Sequence, residues 1–311
     1  MTPPTLSIVI STYDRRDGLP AVVAAALADP YATEVVVVVD GCADGSYELL
    51  EKLAVEEPRL RPVWRANGGA AAARATGVER AGGEIVLLLD DDVLAGPGLA
   101  EGHARAHAGR AGLVVVGALL TEAPPVRAPG DVTTLLYAED YERAAARYER
   151  DPSTVLPYLW AGNLSLRRAD ALRVGLASGR RLNRHNDQEF GLRCARAGLT
   201  GVFDRSLAAR HLHARDLGNF ARQAWQAGTA RRALGRSYPD LLADTDPRRD
   251  VPAPLRPAIG LAAAPGLHRL ARPVLGGGLR LAGRARWWWA ETAFARVLRQ
   301  VELLRGYRDA A

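Results

Sequence analysis

Residues 84–98 read EIVLLLDDDVLAGPG, in which three consecutive aspartates follow an apolar run. A short apolar run that ends near Gly and Pro predicts a buried strand, here at residues 85–89. In open α/β sheets, ligands bind at the carboxyl ends of strands, where Asp90, Asp91 and Asp92 are expected. Like charges repel one another, so these aspartates favour a positive partner, and carboxylate oxygens suit Mg²⁺ or Mn²⁺. The alternative is a solvated turn, in which aspartate is common.

Strand-like and helix-like segments alternate through the N-terminal half of the chain. Strands are predicted at residues 6–11, 34–39, around 63, 85–89 and 113–117, and helices near residues 17–28, 44–55 and 70–80. This alternation predicts an α/β fold with a mainly parallel, doubly wound sheet. Tyr13, Asp40 and the three aspartates then lie on one rim of that sheet.

Structural signals weaken between residues 121 and 157, where prolines precede a charged helical stretch at residues 137–150. The segment WAGNLSLRRAD then predicts a glycine turn, a short strand and the start of a helix. Another helix is predicted in NDQEFGLRCARAG, with Phe190, Cys194 and Ala197 at helical spacing and Gly198 as its terminator. Asp187 lies in the first turn of this helix, where the helix dipole stabilises an ionised carboxylate.

The basic excess of the chain is concentrated in its last third. The chain has 311 residues, 48% of them hydrophobic, which is enough for a large core, and its net charge is +6. Residues 1–214 hold 24 Arg and Lys against 27 Asp and Glu, whereas residues 215–311 hold 17 against 8. No nucleic-acid motif accompanies this excess, so we predict no nucleic-acid partner.

Cysteine usage and hydropathy predict a cytoplasmic protein. Cys42 and Cys194 lie far apart and give neither a disulfide framework nor zinc-ligand spacing. We expect no secretory signal, because the first residues carry no basic segment and only a short apolar run. We also expect no membrane-spanning helix, because no uninterrupted apolar stretch reaches that length. Arginines around the three tryptophans at residues 287–289 predict peripheral contact of the C-terminal helix with the anionic inner face of a membrane. The alternative is a helix that packs these aromatic side chains on the rest of the protein.

Six motifs occur in the order LSIVISTYDRR, EVVVVVDGCADGS, NGGAAAARATGVERAGGEIVLLLDDD, WAGNLSLRRAD, NDQEFGLRCARAG and HLHARD. Through these motifs, over about residues 5–230, the chain resembles glycosyltransferase family 2, inverting enzymes of the GT-A fold. The resemblance implies a Rossmann-like α/β fold with a mixed, mainly parallel sheet flanked by helices. It implies a catalytic domain at residues 1–235 and a basic, mainly helical extension at residues 236–311.

The resemblance also implies a donor site for a nucleotide-diphospho-sugar, with a UDP-sugar expected. The positions that match the family's donor-binding residues are Thr12, Tyr13, Asp14, Asp40, Arg74, Asp90 and Asp91. Asp92 matches the direct ligand of a divalent cation, Mn²⁺ or Mg²⁺, and Asp91 could instead only form the turn. His213, with His211 as second choice, matches a histidine that reaches the metal or the diphosphate, although a structural histidine is the alternative.

On the acceptor side, Asp187 matches the family's catalytic base, and an N-cap is its non-catalytic alternative. Glu189 is a second candidate for an acidic role there. Trp160, Gly162 and Asn163 match a turn beside the acceptor, with packing as their alternative role. The chain departs from the family pattern at Val39 and Asn186, where family members carry an acid.

These motifs predict a metal-dependent inverting glycosyltransferase that acts on an acceptor hydroxyl, with a lipid-linked acceptor as one option. A sugar nucleotidyltransferase is an alternative, but residues 11–18 lack the glycine pattern of its first loop. A phosphatase that forms a phosphoaspartate is disfavoured because Leu94 stands where its motif needs Thr or Val. A non-catalytic protein that binds sugar nucleotides or membranes stays open because of Val39 and Asn186.

Overall fold

A computed structural model describes residues 4–177, 179, 182, 184–212, 217–242 and 244–310. Its strands are β1 Leu6–Thr12, β2 Ala32–Asp40, β3 Leu60–Arg65, β4 Ile85–Asp90, β5 Val93–Ala95, β6 Leu113–Thr121, β7 Asn163–Arg167 and β8 Thr200–His211. Its helices are α1 Leu19–Leu27, α2 Ser46–Glu56, α3 Ala70–Arg80, α4 Leu99–His107, α5 Val132–Arg150, α6 Arg168–Val174, α7 Asn186–Arg196, α8 Leu217–Ser237, α9 Arg256–Ala262, α10 Pro265–Arg284 and α11 Trp288–Asp309.

The strands form one mixed sheet in the order β3-β2-β1-β4-β7-β6-β8-β5. Neighbouring strands are parallel from β3 through β4 and again between β6 and β8, whereas β7 and β5 run antiparallel to their neighbours. The predicted mixed, mainly parallel sheet flanked by helices is therefore confirmed. Because β2, β1 and β4 are parallel, their carboxyl ends bring Asp40, Thr12 and Asp90 to one rim.

The central strands are covered on both faces. In β1, Ile8 and Ile10 belong to one hydrophobic cluster and Val9 belongs to another, and all three side chains are fully buried. The five consecutive valines of β2 are also fully buried, since β-branched side chains pack well on both faces of a covered sheet. The strands whose ends form the rim therefore lie in the hydrophobic core of the sheet unit.

Several predicted boundaries differ from the structure. The strand predicted at residues 113–117 extends to Thr121, and the charged helix predicted at residues 137–150 begins at Val132. β5, a three-residue strand that pairs with the end of β8, was not predicted from the sequence. The domain boundary predicted at residue 235 falls within helix α8 and stays a prediction.

The described chain divides into two compact units. The sheet unit comprises Met1–Glu122, Tyr141–Arg180 and Asp187–Leu212, and the helical unit comprises Ala123–Asp140, Arg181–Asn186 and His213–Ala311. In the helical unit, Phe220, Leu279 and Leu298 belong to one apolar cluster and Ile259, Val301 and Leu304 to another. No helix among the described residues is both long and apolar enough to cross a bilayer.

Candidate functional site

Three acidic residues follow one another at the carboxyl end of β4. Asp90 is the last residue of β4, and Asp91 and Asp92 form the turn that leads into β5. Burial raises the pKa of Asp90, and the nearby carboxylates of Asp187 and Asp92 raise it further. Burial likewise raises the pKa of Asp91. The part of the shift at Asp90 that comes from the neighbouring carboxylates is repulsion between like charges, which a cation would relieve.

Arg74 lies between two of these predicted site residues. It projects from α3, and its Nη2 atom donates to Asp90 Oδ1 while its Nη1 atom donates to Asp187 Oδ1 at 2.8 Å. Asp187 occupies the first turn of α7, as predicted from the sequence. The guanidinium therefore connects the aspartates after β4 with the candidate base on α7.

Asp92 is buried, and its carboxylate contacts two other side chains. Its Oδ1 atom lies 3.1 Å from Nε2 of His211, and its Oδ2 atom accepts a hydrogen bond from Nη2 of Arg15 at 3.2 Å. His211 ends β8 directly opposite Val93, and its Nδ1 atom lies 3.2 Å from the hydroxyl of Thr121. His213, the first-choice metal ligand, lies outside the described residues. Among the described residues, His211 is the histidine beside Asp92.

Arg15 was not selected from the sequence, although it follows the predicted residues Tyr13 and Asp14 at the end of β1. Its guanidinium contacts Asp92 and lies 3.9 Å from Asp91. Because Arg15 follows β1 on the same rim as the aspartates, its position in the sequence could have identified it as a site residue. In this structure Arg15 supplies the positive charge beside Asp91 and Asp92.

Tyr13 and Asp14 are the exposed part of the rim, whereas Thr12 is buried. The side chain of Tyr13 is 50% exposed, so its ring has a free face on which a base could stack. Asp14 has a positive φ of 50°, a conformation that aspartate tolerates in turns. The predicted roles of these residues in nucleotide binding stay predictions.

Asp40 is buried at the end of β2 and has a structural role. Its two carboxylate oxygens accept hydrogen bonds from the backbone N–H groups of Gly68 and Gly69 at 3.0 and 2.7 Å. Arg65 lies 3.4 Å from the same carboxylate. Asp40 thus holds the loop that begins α3, the helix that bears Arg74. A contact of Asp40 with a nucleotide base stays a prediction.

On the predicted acceptor side, Asn163 is fully buried. Its side-chain amide donates to the carbonyl oxygens of Ala118 and Leu207, and its Oδ1 atom lies 2.9 Å from Nε2 of His103. The half-buried Trp160 packs edge-on against Tyr141, with ring centroids 5.4 Å apart. These contacts favour the packing alternative for Asn163 and Trp160.

Gly162 is the member of the acceptor-side turn that lies against the aspartates. Its φ is +135°, and a Cβ atom there would lie 2.9 Å from Asp90 Oδ2. Its carbonyl oxygen accepts a hydrogen bond from the backbone N–H of Asp90. Glycine is therefore required both by the backbone conformation and by the close approach to Asp90.

Glu189 is buried on α7 and forms an ion pair with Arg193 at 3.0 Å. Arg193 also donates to the carbonyl oxygens of Val174 and Leu176. Glu189 thereby anchors the end of α6 to α7 and does not share the contact of Asp187 with Arg74. Of the two acids, Asp187 is the one that the structure brings to the aspartates of β4.

Among the described residues, the one group of three possible metal ligands with atoms within 4.8 Å of one another is Asp14, Cys42 and Asp44. The oxygens of Asp44 already accept hydrogen bonds from Ser46 and from the backbone N–H of Arg16, and the hydrogen bonds from Ser46 lower the pKa of Asp44 to about 2 despite its partial burial. Burial raises the pKa of the Cys42 thiol, which disfavours the thiolate that binds metals. This group is better explained as the turn before α2.

The donor chemistry after β4 fits a hard divalent cation. Asp90, Asp91 and Asp92 offer oxygen atoms, which suit Mg²⁺ and Mn²⁺, and the imidazole of His211 lies next to Asp92. Besides burial, the negative charges of Asp187 and Asp92 raise the pKa of Asp90, and positive charge near these carboxylates would offset that repulsion. Asp92, with Asp90 and Asp91 beside it, is the group that could hold such an ion.

Comparison with known proteins gives matches to glycosyltransferases. The sequence pattern described as Glycosyl transferase family 2 matches residues 7–168, which is just over half of the chain. An uncharacterized glycosyltransferase of Escherichia coli K12, YibD, is 32% identical over 88 residues. An undecaprenyl-phosphate 4-deoxy-4-formamido-L-arabinose transferase of Pseudomonas fluorescens is 36% identical over 94 residues. These matches cover 28% of this chain and 26% and 28% of the two relatives.

Solved structures confirm the predicted GT-A fold. The mannosyltransferase PcManGT from Pyrobaculum calidifontis, solved with GDP-Man and Mn²⁺, superposes with a TM-score of 0.60 at 19% identity, over 96% of this chain and 86% of that one. Residues 1–349 of TarS from S. aureus superpose with a TM-score of 0.51 at 16% identity, over 99% and 92% of the two chains. At these identities, the likeness concerns the fold alone.

Proposed function

Because the chain belongs to glycosyl transferase family 2, we propose that it transfers a sugar from a nucleotide-diphospho-sugar to an acceptor hydroxyl, with inversion at the anomeric carbon. The rim of the sheet unit would bind the donor, with Thr12, Tyr13, Asp14 and Asp40 on the nucleoside side. Asp90, Asp91 and Asp92 would lie at the diphosphate. Asp187 would act as the base.

The bridge that Arg74 forms between Asp90 and Asp187 is the observation that supports this proposal most directly. A single displacement needs the leaving diphosphate and the attacking hydroxyl on opposite sides of one carbon atom. Through the bridge, one guanidinium contacts both Asp90, which is proposed to lie at the diphosphate, and Asp187, the proposed base. A turn or an N-cap alone would not require that contact.

In the proposed reaction, the acceptor oxygen forms a bond to the anomeric carbon while the bond from that carbon to the diphosphate oxygen breaks. The electron pair of the broken bond leaves with the nucleoside diphosphate. The proton of the acceptor hydroxyl moves to the carboxylate of Asp187. Arg74 orients that carboxylate through the hydrogen bond between them.

Divalent-cation dependence is part of the proposal. A bound Mn²⁺ or Mg²⁺ would neutralise charge on the departing diphosphate. Asp92 would hold the ion, and His211 would orient Asp92 through the contact between its Nε2 atom and the carboxylate. His213 is kept as a proposed ligand on the sequence motif alone.

The donor and acceptor are proposed from the family and its relatives. A UDP-sugar is the proposed donor, and the complex of PcManGT with GDP-Man and Mn²⁺ supports a nucleotide sugar and a metal in general terms. The P. fluorescens relative acts on a lipid phosphate by its name, which supports a lipid-linked acceptor. Peripheral location at the inner face of a membrane would suit such an acceptor.

A donor-consumption assay tests the proposed function without knowledge of the acceptor. The full chain is incubated with UDP-glucose, UDP-galactose, UDP-N-acetylglucosamine or GDP-mannose and with Mn²⁺, Mg²⁺ or a chelator, and the released nucleoside diphosphate is quantified. We expect metal-dependent release from one donor, with water as a slow acceptor, and a free sugar of inverted configuration by NMR. Donor binding without release, also with a panel of lipid-linked acceptors, would instead support the non-catalytic binding protein.

A further inference from the structure

One segment of the helical unit contains all of the net positive charge of the chain. Residues 251–290 include six arginines and no aspartate, glutamate or lysine. The chain has 41 Arg and Lys and 35 Asp and Glu, so without these six arginines the two counts are equal at 35. Such a concentration of one charge generates a local field that attracts an anionic partner.

Helix α10, within this segment, exposes an apolar stripe. Leu267, Leu270, Val274 and Leu281 are 43%, 68%, 69% and 65% exposed. They are three, four and seven residues apart, so they lie on one face of the helix. Leu279 and Ala282 on another face are buried in the helical unit. The outer stripe is thus available for a partner while α10 stays packed on its inner face.

Two tryptophans lie just beyond the stripe. Trp287 and Trp289 are 58% and 79% exposed, and the backbone N–H of Trp287 donates to the carbonyl oxygen of Ala282 at 2.8 Å. Trp287 therefore lies at the C-terminal end of α10, within two turns of Leu281. In contrast, Trp288 stacks under the guanidinium of Arg127, 4.9 Å from the ring centroid. The packing alternative applies to Trp288, and the two exposed rings are left for another role.

The arginines beside the stripe lack acidic partners. Within the described part of the chain, Arg269, Arg280, Arg284 and Arg286 form no ion pair, and all four are exposed. Arg272 differs from them because it contacts the buried Glu302 at 3.3 Å. Exposed guanidinium groups next to an apolar stripe favour a partner that offers negative charge and hydrocarbon together.

We propose that this surface docks on an anionic phospholipid bilayer. We name it the α10 surface and define it by Leu267, Leu270, Val274, Leu281, Trp287, Trp289, Arg269, Arg280, Arg284 and Arg286. The leucines and the valine enter the acyl boundary, the tryptophans lie at headgroup level, and the arginines bind lipid phosphates. A second copy of the chain fits less well, because two such surfaces would oppose arginines with arginines.

Co-sedimentation with vesicles tests the proposal on the full chain. Vesicles of phosphatidylcholine alone are compared with vesicles that also contain phosphatidylglycerol. We expect binding to the anionic vesicles that weakens with added NaCl. Arg280→Gln with Arg284→Gln should lower the affinity about 30-fold, since each basic residue at such a surface contributes about fivefold. Leu270→Gln with Val274→Gln should lower it about tenfold or more.

Matched controls come from the sheet unit. Val55 and Arg80 are exposed there, and Val55→Gln with Arg80→Gln should leave vesicle binding unchanged. Tryptophan emission should shift to the blue on anionic vesicles, and the shift should be lost in Trp287→Phe with Trp289→Phe. All of these substitutions replace exposed side chains, so each variant should have the melting temperature of the wild-type protein. An unchanged melting temperature would show that a loss of vesicle binding does not come from misfolding.

The proposal is overturned if the wild-type chain binds neither kind of vesicle, or if the control variant loses as much binding as the α10 variants. It is also overturned if the chain self-associates through these residues, which sedimentation equilibrium of the same variants would reveal. Vesicle binding is independent of the proposed glycosyl transfer. A chain that does not bind vesicles could still bind nucleotides, and a chain that does not bind nucleotides could still bind vesicles.

Discussion

The Nη1 atom of Arg74 donates a hydrogen bond to Oδ1 of Asp187 across 2.8 Å, although the two residues are 113 positions apart. The same guanidinium also contacts Asp90. Two parallel contacts with carboxylates suit the planar guanidinium fork and would not be reproduced by a lysine. The bridge gives Asp187 a fixed position and a positive neighbour before any substrate binds.

Replacement of Arg74 should reduce both stability and activity. Arg74→Ala leaves the carboxylates of Asp90 and Asp187 without the cation between them, so we expect the free energy of unfolding to fall by about 2 kcal/mol. This loss is smaller than for a fully buried ion pair, because the side chains of Asp90 and Asp187 are partly exposed. Donor consumption should fall at least about 100-fold. Arg74→Lys should recover most of the stability but little of the activity, because one ammonium cannot bridge both carboxylates. Equal activity of the lysine and wild-type proteins would contradict the bridging role.

Asp187→Asn should remove the base and preserve the fold. The amide cannot take a proton, so the turnover rate should fall about 100-fold to 10,000-fold while the dissociation constant of the donor changes little. The matched control is Glu189→Gln on the same helix. Because Glu189 is paired with Arg193, its loss should lower the melting temperature but affect turnover less. Turnover that survives in Asp187→Asn would exclude Asp187 as the base.

Arg15→Ala should strengthen the binding of Mn²⁺ in the absence of nucleotide. The guanidinium of Arg15 occupies the space next to Asp91 and Asp92 and competes electrostatically with a cation. For an ion pair with a half-exposed arginine, we expect a gain of about twofold to fivefold, measured by titration calorimetry. Arg80→Ala, an exposed arginine on α3, is the control and should have no effect. Weaker Mn²⁺ binding in Arg15→Ala would mean that Arg15 supports the cation site.

The buried histidines of α4 should make the protein sensitive to mild acid. Burial lowers the pKa of His103 and the pKa of His107 to about 4, below the ordinary value of 6.5. Both stay neutral in the folded state while the unfolded chain takes up protons below pH 6.5. The free energy of unfolding should therefore fall between about pH 6.5 and pH 4.

Urea unfolding of wild type and His103→Gln at several pH values measures this effect. The variant should lose stability less steeply, by up to about 1.4 kcal/mol per pH unit, because one proton fewer is taken up on unfolding. The glutamine can still bond to Asn163, which favours a folded variant. Identical slopes for the two proteins would show that His103 does not titrate in this range.

Local sequence patterns were sufficient to predict much of the fold and the residues on the rim of the sheet. The apolar runs of β1, β2 and β4 have strong signals, so the rim with Tyr13, Asp40 and Asp90 could be predicted. The start of α7 could also be predicted, and with it the place of Asp187 in the first turn of that helix. The three-residue β5 has no such signal, because it is a strand only through its pairing with β8. Burial of residues 85–89 on both faces explains why that strand was recognisable.

The uses of individual side chains depend on contacts that sequence spacing does not reveal. Asn163 follows a glycine and could have faced a substrate, but His103 on α4 and the carbonyl oxygen of Leu207 bind its amide. Glu189 is two residues after Asp187, yet helical geometry turns it toward Arg193. Arg15 lies near the aspartates only because β1 and β4 are adjacent.

The central claim is that the rim binds a nucleoside diphosphate through a cation held at Asp92, and one calorimetric titration tests it most directly. UDP and GDP are titrated into wild-type and Asp92→Asn protein with Mn²⁺ or with a chelator. We predict that wild type binds one of them with Mn²⁺, and that the chelator or Asp92→Asn weakens binding at least about 100-fold while the melting temperature is kept. Binding unaffected by chelator and by Asp92→Asn, or no binding of either nucleotide, would contradict the claim.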